Sequence, residues 1–328
     1  MAVKEIYFDN AATTKTAPEA AEAALEMMTS AFGNPSSLHF KGSDAYLAIQ
    51  KARYSVASLL AAPTERVFFT PGGTYSNNLA VLGACAPYLG QGKNIVTTAI
   101  EHASLLGVAD LLKKQGFGVT EILPGEGRVI RAKDIIKEVD ENTILVSVMA
   151  VNNETGEILP LGDIIKGVRA KNKNTLIHTD AVQAFGKLHM PLFRYPTDLI
   201  SMSGRKIHGA KGAGALYIRE GVTINPLVFG GAQEGKISPG TENTPAVCAF
   251  GAACDLAKAH IAESFAHVAS FKEAIIGGLS QIPGFFVNSP KNSSPYILNI
   301  STPVPTDTMV SSLSRRSIYV SGSSACCG

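Results

Sequence analysis

Charge is scarce in this chain of 328 residues: only 17% of it is Asp, Glu, Lys or Arg, while 45% is hydrophobic. An average soluble protein carries roughly 25% charged residues. A chain so poor in charge and so rich in apolar side chains can bury a sizeable core, which excludes a disordered segment. Neither sign of charge dominates, since 29 Lys and Arg face 27 Asp and Glu for a net charge of +2, and no basic cluster is longer than a pair such as Arg315-Arg316. Nucleic-acid binders carry a basic face or stripe, so no nucleic-acid partner is expected. Long hydrophobic runs are also missing. The longest, from Leu79 to Leu89, is interrupted by Gly83 and Pro87 and falls well short of the ~20 residues of a membrane span. The opening Met1-Ala2-Val3-Lys4-Glu5 has no apolar signal-peptide segment, and the expectation is a cytoplasmic protein without a membrane partner. Paired cysteines are lacking as well: Cys85, Cys248, Cys254, Cys326 and Cys327 are odd in number and form no C-x-x-C motif. That excludes a disulfide framework and a zinc site, and no metal is expected. Cys85, Cys248 and Cys254 lie in apolar or Ala-rich runs and are expected as small core residues. The adjacent pair Cys326-Cys327 needs another account.

What is present is alternation. Short runs rich in β-branched residues recur at Val67 to Thr70, Asn94 to Thr98, Val119 to Leu123, Ile144 to Val151, Leu176 to Thr179, Leu199 to Ser203 and Ala213 to Ile218. Stretches with helical spacing lie between most of them, as in Tyr75 to Leu89, Ala103 to Gln115, Ala132 to Glu138 and Leu161 to Lys171. This pattern predicts an α/β fold with a largely parallel sheet, and ligands of such sheets bind beyond the carboxyl ends of the strands. The pattern changes after Thr241-Glu242-Asn243. Thr244 as N-cap and Pro245 at the first helical position open a long helix to about Ser280. A smaller α/β segment follows, with strands near Phe285 to Val287, Tyr296 to Ser301 and Ile318 to Ser321 and a helix near Thr306 to Arg315. The predicted division is residues 1–243, an N-terminal arm and large domain, and 244–328, a smaller C-terminal domain.

Three segments at strand ends carry chemistry. Thr70-Pro71-Gly72-Gly73-Thr74 lies between a strand and a helix, where two glycines let backbone N–H groups approach an anion and Thr74 and Ser76 offer hydroxyls. Alone, it is equally a simple turn, and it lacks the G-K-[ST] ending of a P-loop. His178-Thr179-Asp180-Ala181-Val182-Gln183 ends one strand, and Ser201-Met202-Ser203-Gly204-Arg205-Lys206 ends the next. Each taken singly reads as surface charge. Together, an Asp and a Lys at neighbouring strand ends can face one crevice, which is the pair that a pyridoxal phosphate site requires: a carboxylate for the pyridine nitrogen and an amine for the Schiff base.

With those segments in place, the chain resembles the cysteine desulfurase family, within the class V aminotransferase group of fold type I pyridoxal phosphate enzymes. The likeness runs from Phe8-Asp9-Asn10-Ala11-Ala12-Thr13-Thr14 to Ser321-Gly322-Ser323-Ser324-Ala325-Cys326. It implies Lys206 as the Schiff-base lysine, Asp180 on the pyridine nitrogen, Gln183 on the ring hydroxyl, and His102 stacked on the ring and serving proton transfer. Asn153 would sit near the ring hydroxyl and substrate. Gly73, Thr74 and Ser203 would hold the phosphate, and Thr241 would reach the phosphate of a second copy's cofactor, making a homodimer part of the site. Asn34-Pro35-Ser36-Ser37 with His39 would border the active-site mouth. Cys326 would be the catalytic cysteine, taking sulfur from L-cysteine as a persulfide, releasing L-alanine and passing sulfur to an acceptor or scaffold protein for iron–sulfur cluster or thio-cofactor assembly. A thiol near its ordinary pKa of about 8.5 is mostly protonated at neutral pH, so the site must generate thiolate, with His102 as candidate base. Cys327 reads as a spectator, with sulfur acceptor or disulfide partner as the alternatives.

The chain also departs from the family. Arg205 stands where His usually precedes the lysine, and a guanidinium can still bind phosphate. Tyr75 replaces an acid, and Gly235 and Ser238 stand where arginines are common. Against the family's pattern, the small domain is expected to be incomplete at Gly328, short of the arginine expected to clamp the substrate carboxylate. The sequence-based expectation is therefore a chain that binds pyridoxal phosphate and desulfurates cysteine poorly or not at all. Two other classes stay open: a selenocysteine lyase or other β-elimination lyase, which would depend less on Cys326, and a catalytically impaired cofactor-binding scaffold.

Overall fold

A computed structural model describes residues 5–322. In chain order the elements are β1 (Ile6–Tyr7), α1 (Pro18–Thr29), α2 (Phe40–Leu60), β2 (Val67–Thr70), α3 (Gly73–Cys85), β3 (Asn94–Thr98), α4 (Ala103–Lys114), β4 (Gly118–Ile122), α5 (Ala132–Lys137), β5 (Thr143–Met149), α6 (Leu161–Lys171), β6 (Leu176–Asp180), β7 (Leu199–Ser203) and β8 (Gly214–Ile218), then α7 (Thr244–Leu279), β9 (Phe286–Val287), β10 (Ile300–Ser301), α8 (Thr306–Ser314) and β11 (Ile318–Tyr319). The seven-stranded sheet has the order β2-β8-β7-β6-β5-β3-β4. Its β3, β4, β5, β6 and β7 run parallel, and only β8 is antiparallel to its neighbours β2 and β7. Strands β5 to β8 are buried along almost their whole length, as expected where helices cover both faces of a parallel sheet.

The core lies on both faces. On one, Phe250 of α7 meets Phe69 and Phe185 edge to face, with ring centroids 6.5 and 6.0 Å apart; Val56, Leu60, Ile200 and Met202 complete this cluster. Leu105, Val108 and Leu112 of α4 and Ile135, Ile164 and Val168 of α5 and α6 supply others. Burying a side chain of this size stabilises the fold by roughly 1.5–3 kcal/mol.

The predicted alternation is present, and differences lie in its margins. The N-cap of α7 is Asn243, whose side chain accepts the Ala246 N–H at 3.3 Å, so Thr244 is the first helical residue and not the cap. The first turns of α7 belong to the core of the sheet, through Ala246, Val247, Ala249, Phe250, Ala253 and Cys254. Cys254 and Cys85 are buried as expected, whereas Cys248 is only half-buried. The strand expected over Tyr296 to Ser301 shrinks to Ile300–Ser301; within the rest of that run the Ile297 carbonyl accepts from Lys272 Nζ at 2.9 Å. Helices α1 and α2 were not expected. Pro18 opens α1 and His39 caps α2 by accepting the Gly42 N–H. Strand β1 pairs in parallel with β11, which ties residues near the N-terminus to the C-terminal segment and lays residues 8–14 across the carboxyl edge of the sheet.

No helix among the described residues is long and apolar enough to cross a membrane.

Candidate active site

Five chain segments leave the carboxyl edge of the sheet side by side. These are the turn from β2 into α3, the turn from β3 into α4, the end of β5, the turn after β6 and the 3-10 turn 204–206 after β7. They line one cavity of about 1730 Å³ whose wall includes Gly73, Thr74, His102, Asn153, Asp180, Gln183, Ser203, Arg205 and Lys206. The registers of β6 with β5 and β7, Met149 opposite Asp180 and Asp180 opposite Ser201, set these ends at one level.

Asp180 is 5% exposed. Its Oδ1 accepts the Val182 N–H at 2.9 Å and its Oδ2 accepts from Asn77 Nδ2 at 2.7 Å. Burial pushes its pKa above the usual carboxylate range, opposed by those two hydrogen bonds and by His102 and Lys206. A cationic N–H against this carboxylate would restore the ionised form. Lys206 is also buried; its ammonium donates to the Ala12 carbonyl at 2.8 Å and to that of Ala11. Arg205 donates to the Ala12 carbonyl as well. Residues 11 and 12 thus bring backbone oxygens to the cations of the site.

His102 is the N-cap of α4. Its Nδ1 accepts the Ser104 N–H at 3.1 Å, so the neutral ring holds its proton on Nε2. Burial lowers its pKa, Asp180 opposes that, and Lys206 and Arg205 add to it, which leaves the imidazole neutral at pH 7. The preceding Glu101 is fully inside, with Oε1 accepting from Thr98 Oγ1 at 2.6 Å and from the Met149 N–H at 3.1 Å; burial pushes it up to about 8.

Helix α3 begins with no side-chain cap, so its first N–H groups face the cavity. At Gly73 a Cβ would lie 2.7 Å from Val182 Cγ2 and 3.5 Å from Ser203 Cβ; glycine keeps this hollow open. Ser76 does not serve it: the hydroxyl is buried, 2.7 Å from Thr70 Oγ1 and bonded to the carbonyls of Gly72 and Ala215. Of the two adjacent asparagines, Asn152 makes the turn, with Oδ1 accepting the N–H groups of Glu154 and Thr155, and Asn153 faces the cavity. Thr241 is exposed and does not line it. His39 and Asn34 are absent from the wall too; they shape the start of α2 by accepting Gly42 and Ser36 N–H groups. Cys326 and Cys327 lie outside the described residues. Asn77 and Lys187, both on the cavity wall, carried no sequence signal, since a lone Asn in a helix and a lone Lys in a turn are ordinary surface residues.

Comparison with known proteins agrees with this geometry. The model of the Aminotransferase class-V family matches residues 6–328. The chain is 39% identical over 325 residues to the cysteine desulfurase IscS of Methanosarcina thermophila, covering 98% of this chain and 80% of that protein. Among solved structures, a NifS-like protein superposes with a TM-score of 0.94 at 36% identity, over 98% of this chain and 89% of the other. SspA in complex with cysteine superposes with a TM-score of 0.83 at 31% identity, over 95% and 87%. The chain is therefore a member of the class V aminotransferase family, on the branch that holds the cysteine desulfurases.

Proposed function

We propose that this protein is a pyridoxal phosphate-dependent cysteine desulfurase, taking sulfur from L-cysteine and releasing L-alanine. The observation that carries the reading is the convergence of Lys206, Asp180, His102 and the uncapped start of α3 on one cavity. The hollow at Gly73 fits the cofactor's phosphate, since it is walled by Ser203 and by free N–H groups at the positive end of a helix, with the Arg205 guanidinium nearby. Asp180 fits the pyridine nitrogen, and the amine of Lys206 fits the aldehyde. Pyridoxal phosphate, bound there, supplies an electron sink for bond breaking at the carbons of an amino acid.

The chain's own residues do the rest. Asn77 and the Val182 N–H hold Asp180 in place. The Ala11 and Ala12 carbonyls hold the Lys206 amine. His102, neutral and with its proton on Nε2, could pass a proton within the cavity, and Asn153 and Gln183, also on its wall, would meet the cofactor's ring and the substrate. The thiolate of Cys326 would attack the substrate sulfur: a sulfur–sulfur bond forms as the substrate's carbon–sulfur bond breaks, the electron pair stays with the carbon, which takes up a proton and leaves as L-alanine, and the outer sulfur of the persulfide passes to an acceptor or scaffold protein. Thr241, exposed and away from the cavity, suits a role toward a second copy, which supports a homodimer with Thr241 reaching the partner's phosphate. Residues 1–243 form the cofactor domain in this reading and 244–328 a smaller domain, whose α7 packs its first turns into the core of the larger one. A cytoplasmic location follows from the same reading.

The test is an absorbance spectrum of the purified protein loaded with pyridoxal phosphate, before and after L-cysteine, with alanine quantified. The expected result is a visible band that changes with cysteine, alanine formed, and persulfide on Cys326 lost in Cys326→Ala. A Cys326→Ala variant that still releases sulfur at the wild-type rate would place the enzyme among the β-elimination lyases. A band indifferent to cysteine would leave a cofactor-binding scaffold.

A further inference from the structure

Lys187 has no duty in the reaction above, yet it is only 7% exposed and stands on the wall of the same cavity. No carboxylate lies within ion-pairing distance of it among the described residues. Burial, with the like charge of Lys206, pushes its pKa down to about 7. An unpaired buried ammonium is costly, and an apolar side chain of the same length would normally serve packing better. Its contacts indicate what it does. Lys187 Nζ donates to Gln183 Oε1 at 3.1 Å, and lies 5.7 Å from the centre of the Tyr296 ring.

A glutamine amide can sit in two orientations of nearly equal shape, and its partners decide between them. Below about pH 7, where it is charged, Lys187 is an ammonium, which only donates. Facing Lys187, Gln183 must present its oxygen, which turns Nε2 the other way; there one N–H goes to the Ala11 carbonyl at 2.9 Å, the same oxygen that receives Lys206. The second Nε2–H is available to a ligand in the cavity. We propose that Lys187 is a positioning residue: by donating to Gln183 Oε1 it locks the amide so that Gln183 meets the ring oxygen of bound pyridoxal phosphate as a hydrogen-bond donor. This rests on the functional reading above. A donor at that oxygen favours its deprotonated form, so the lock is read in the pH midpoint of the bound cofactor's visible absorption. Among the described residues, Lys206 acts on Lys187 through its charge and the Tyr296 phenol stands beside it, and Asp180, His102, Arg205 and Lys272 share the cavity wall.

The experiment uses the full chain loaded with pyridoxal phosphate, as wild type, Lys187→Met, Lys187→Arg, Lys187→Gln, Gln183→Leu and the Lys187→Met/Gln183→Leu double variant. Lys187→Met is expected to raise the spectral midpoint and to lower kcat by roughly five- to tenfold, the equivalent of one hydrogen bond, with KM for L-cysteine within about twofold. Gln183→Leu should do the same, and the double variant should be no worse than Gln183→Leu alone. Lys187→Arg, which also only donates, should keep the wild-type midpoint. Lys187→Gln, which can also accept, should move it. A midpoint indifferent to Lys187→Met, or effects that multiply in the double variant, would overturn the inference. So would a Lys187→Gln spectrum identical to wild type, even if the methionine variant does not fold. A wild-type chain that takes up no cofactor would overturn the functional reading itself, and this inference with it.

Discussion

Glu101→Gln should make the protein more stable, by an amount that grows with pH. Glu101 is 4% exposed; its Oε1 is held by Thr98 and Met149, and its Oε2 is buried with no partner among the described residues. Burial, with a smaller contribution from the Asp180 charge, raises its pKa from 4.5 to about 8, and the two hydrogen bonds only partly offset this. The folded state therefore binds a proton that the unfolded chain has released at neutral pH. The side chain opposes folding little below pH 4.5, and its penalty grows as pH rises until it levels off above about 8. A glutamine keeps the shape and the accepting oxygen and has no proton to recover. The gap between variant and wild type should widen by about 1.4 kcal/mol per pH unit between those limits. Relative to the low-pH value it reaches about 1 kcal/mol at pH 5 and about 3 kcal/mol at pH 7, on top of a pH-independent offset for the new amide group. Groups such as His178, which burial lowers to about 3, titrate alike in both proteins and cancel. The chain has no Trp, so the assay is urea unfolding of the cofactor-free protein followed by far-UV circular dichroism at pH 5, 6, 7 and 8. Parallel stability curves for the two proteins over that range would refute the reasoning.

Three further outcomes follow from the same contacts. Asp198→Asn should cost about 2–4 kcal/mol in chemical unfolding, because Asp198 is fully buried and receives Arg169, Arg219 at 2.5 Å and the Ile177 N–H at 2.7 Å, all of which lose a charged acceptor. Gly73→Val should weaken pyridoxal phosphate binding by roughly tenfold or more in an absorbance titration, since its Cβ meets Val182 at 2.7 Å and fills the hollow; wild-type affinity would remove the phosphate from that hollow. Asn77→Leu should lower alanine formation by roughly tenfold and move the acid limb of the pH–rate profile upward. It removes the 2.7 Å hydrogen bond that favours ionised Asp180, so a limb that stays in place would detach Asp180's charge from the rate.

Local order was readable where one residue pattern decides it. Strands β2, β3 and β7 and helix α6 lie where β-branched runs and helical spacing put them, since the side-chain period is a local property. Gly73, Asp180 and Lys206 stood out because their segments end strands, and parallel sheets gather such ends at one edge; His102 came only from the family resemblance. Other residues gave no such signal. Asn77 matters only because its amide lies 2.7 Å from Asp180, 103 positions away in sequence. Ala11 and Ala12 contribute nothing but backbone oxygens, which no side-chain pattern announces, and they reach Lys206 across nearly 200 residues.

By itself, then, the amino-acid sequence determined the alternation of strands and helices, the placing of a lysine and an aspartate at neighbouring strand ends, and the scarcity of charge that requires a buried core. Those follow from short-range sterics and from the hydrophobic period. Only the tertiary structure decided which nitrogen of His102 carries its proton, which way the Gln183 amide faces, and which carboxylates and amines are desolvated enough to change their charge. Each of these depends on what packs against the group from a distant part of the chain, because desolvation and hydrogen-bond direction are properties of the assembled site.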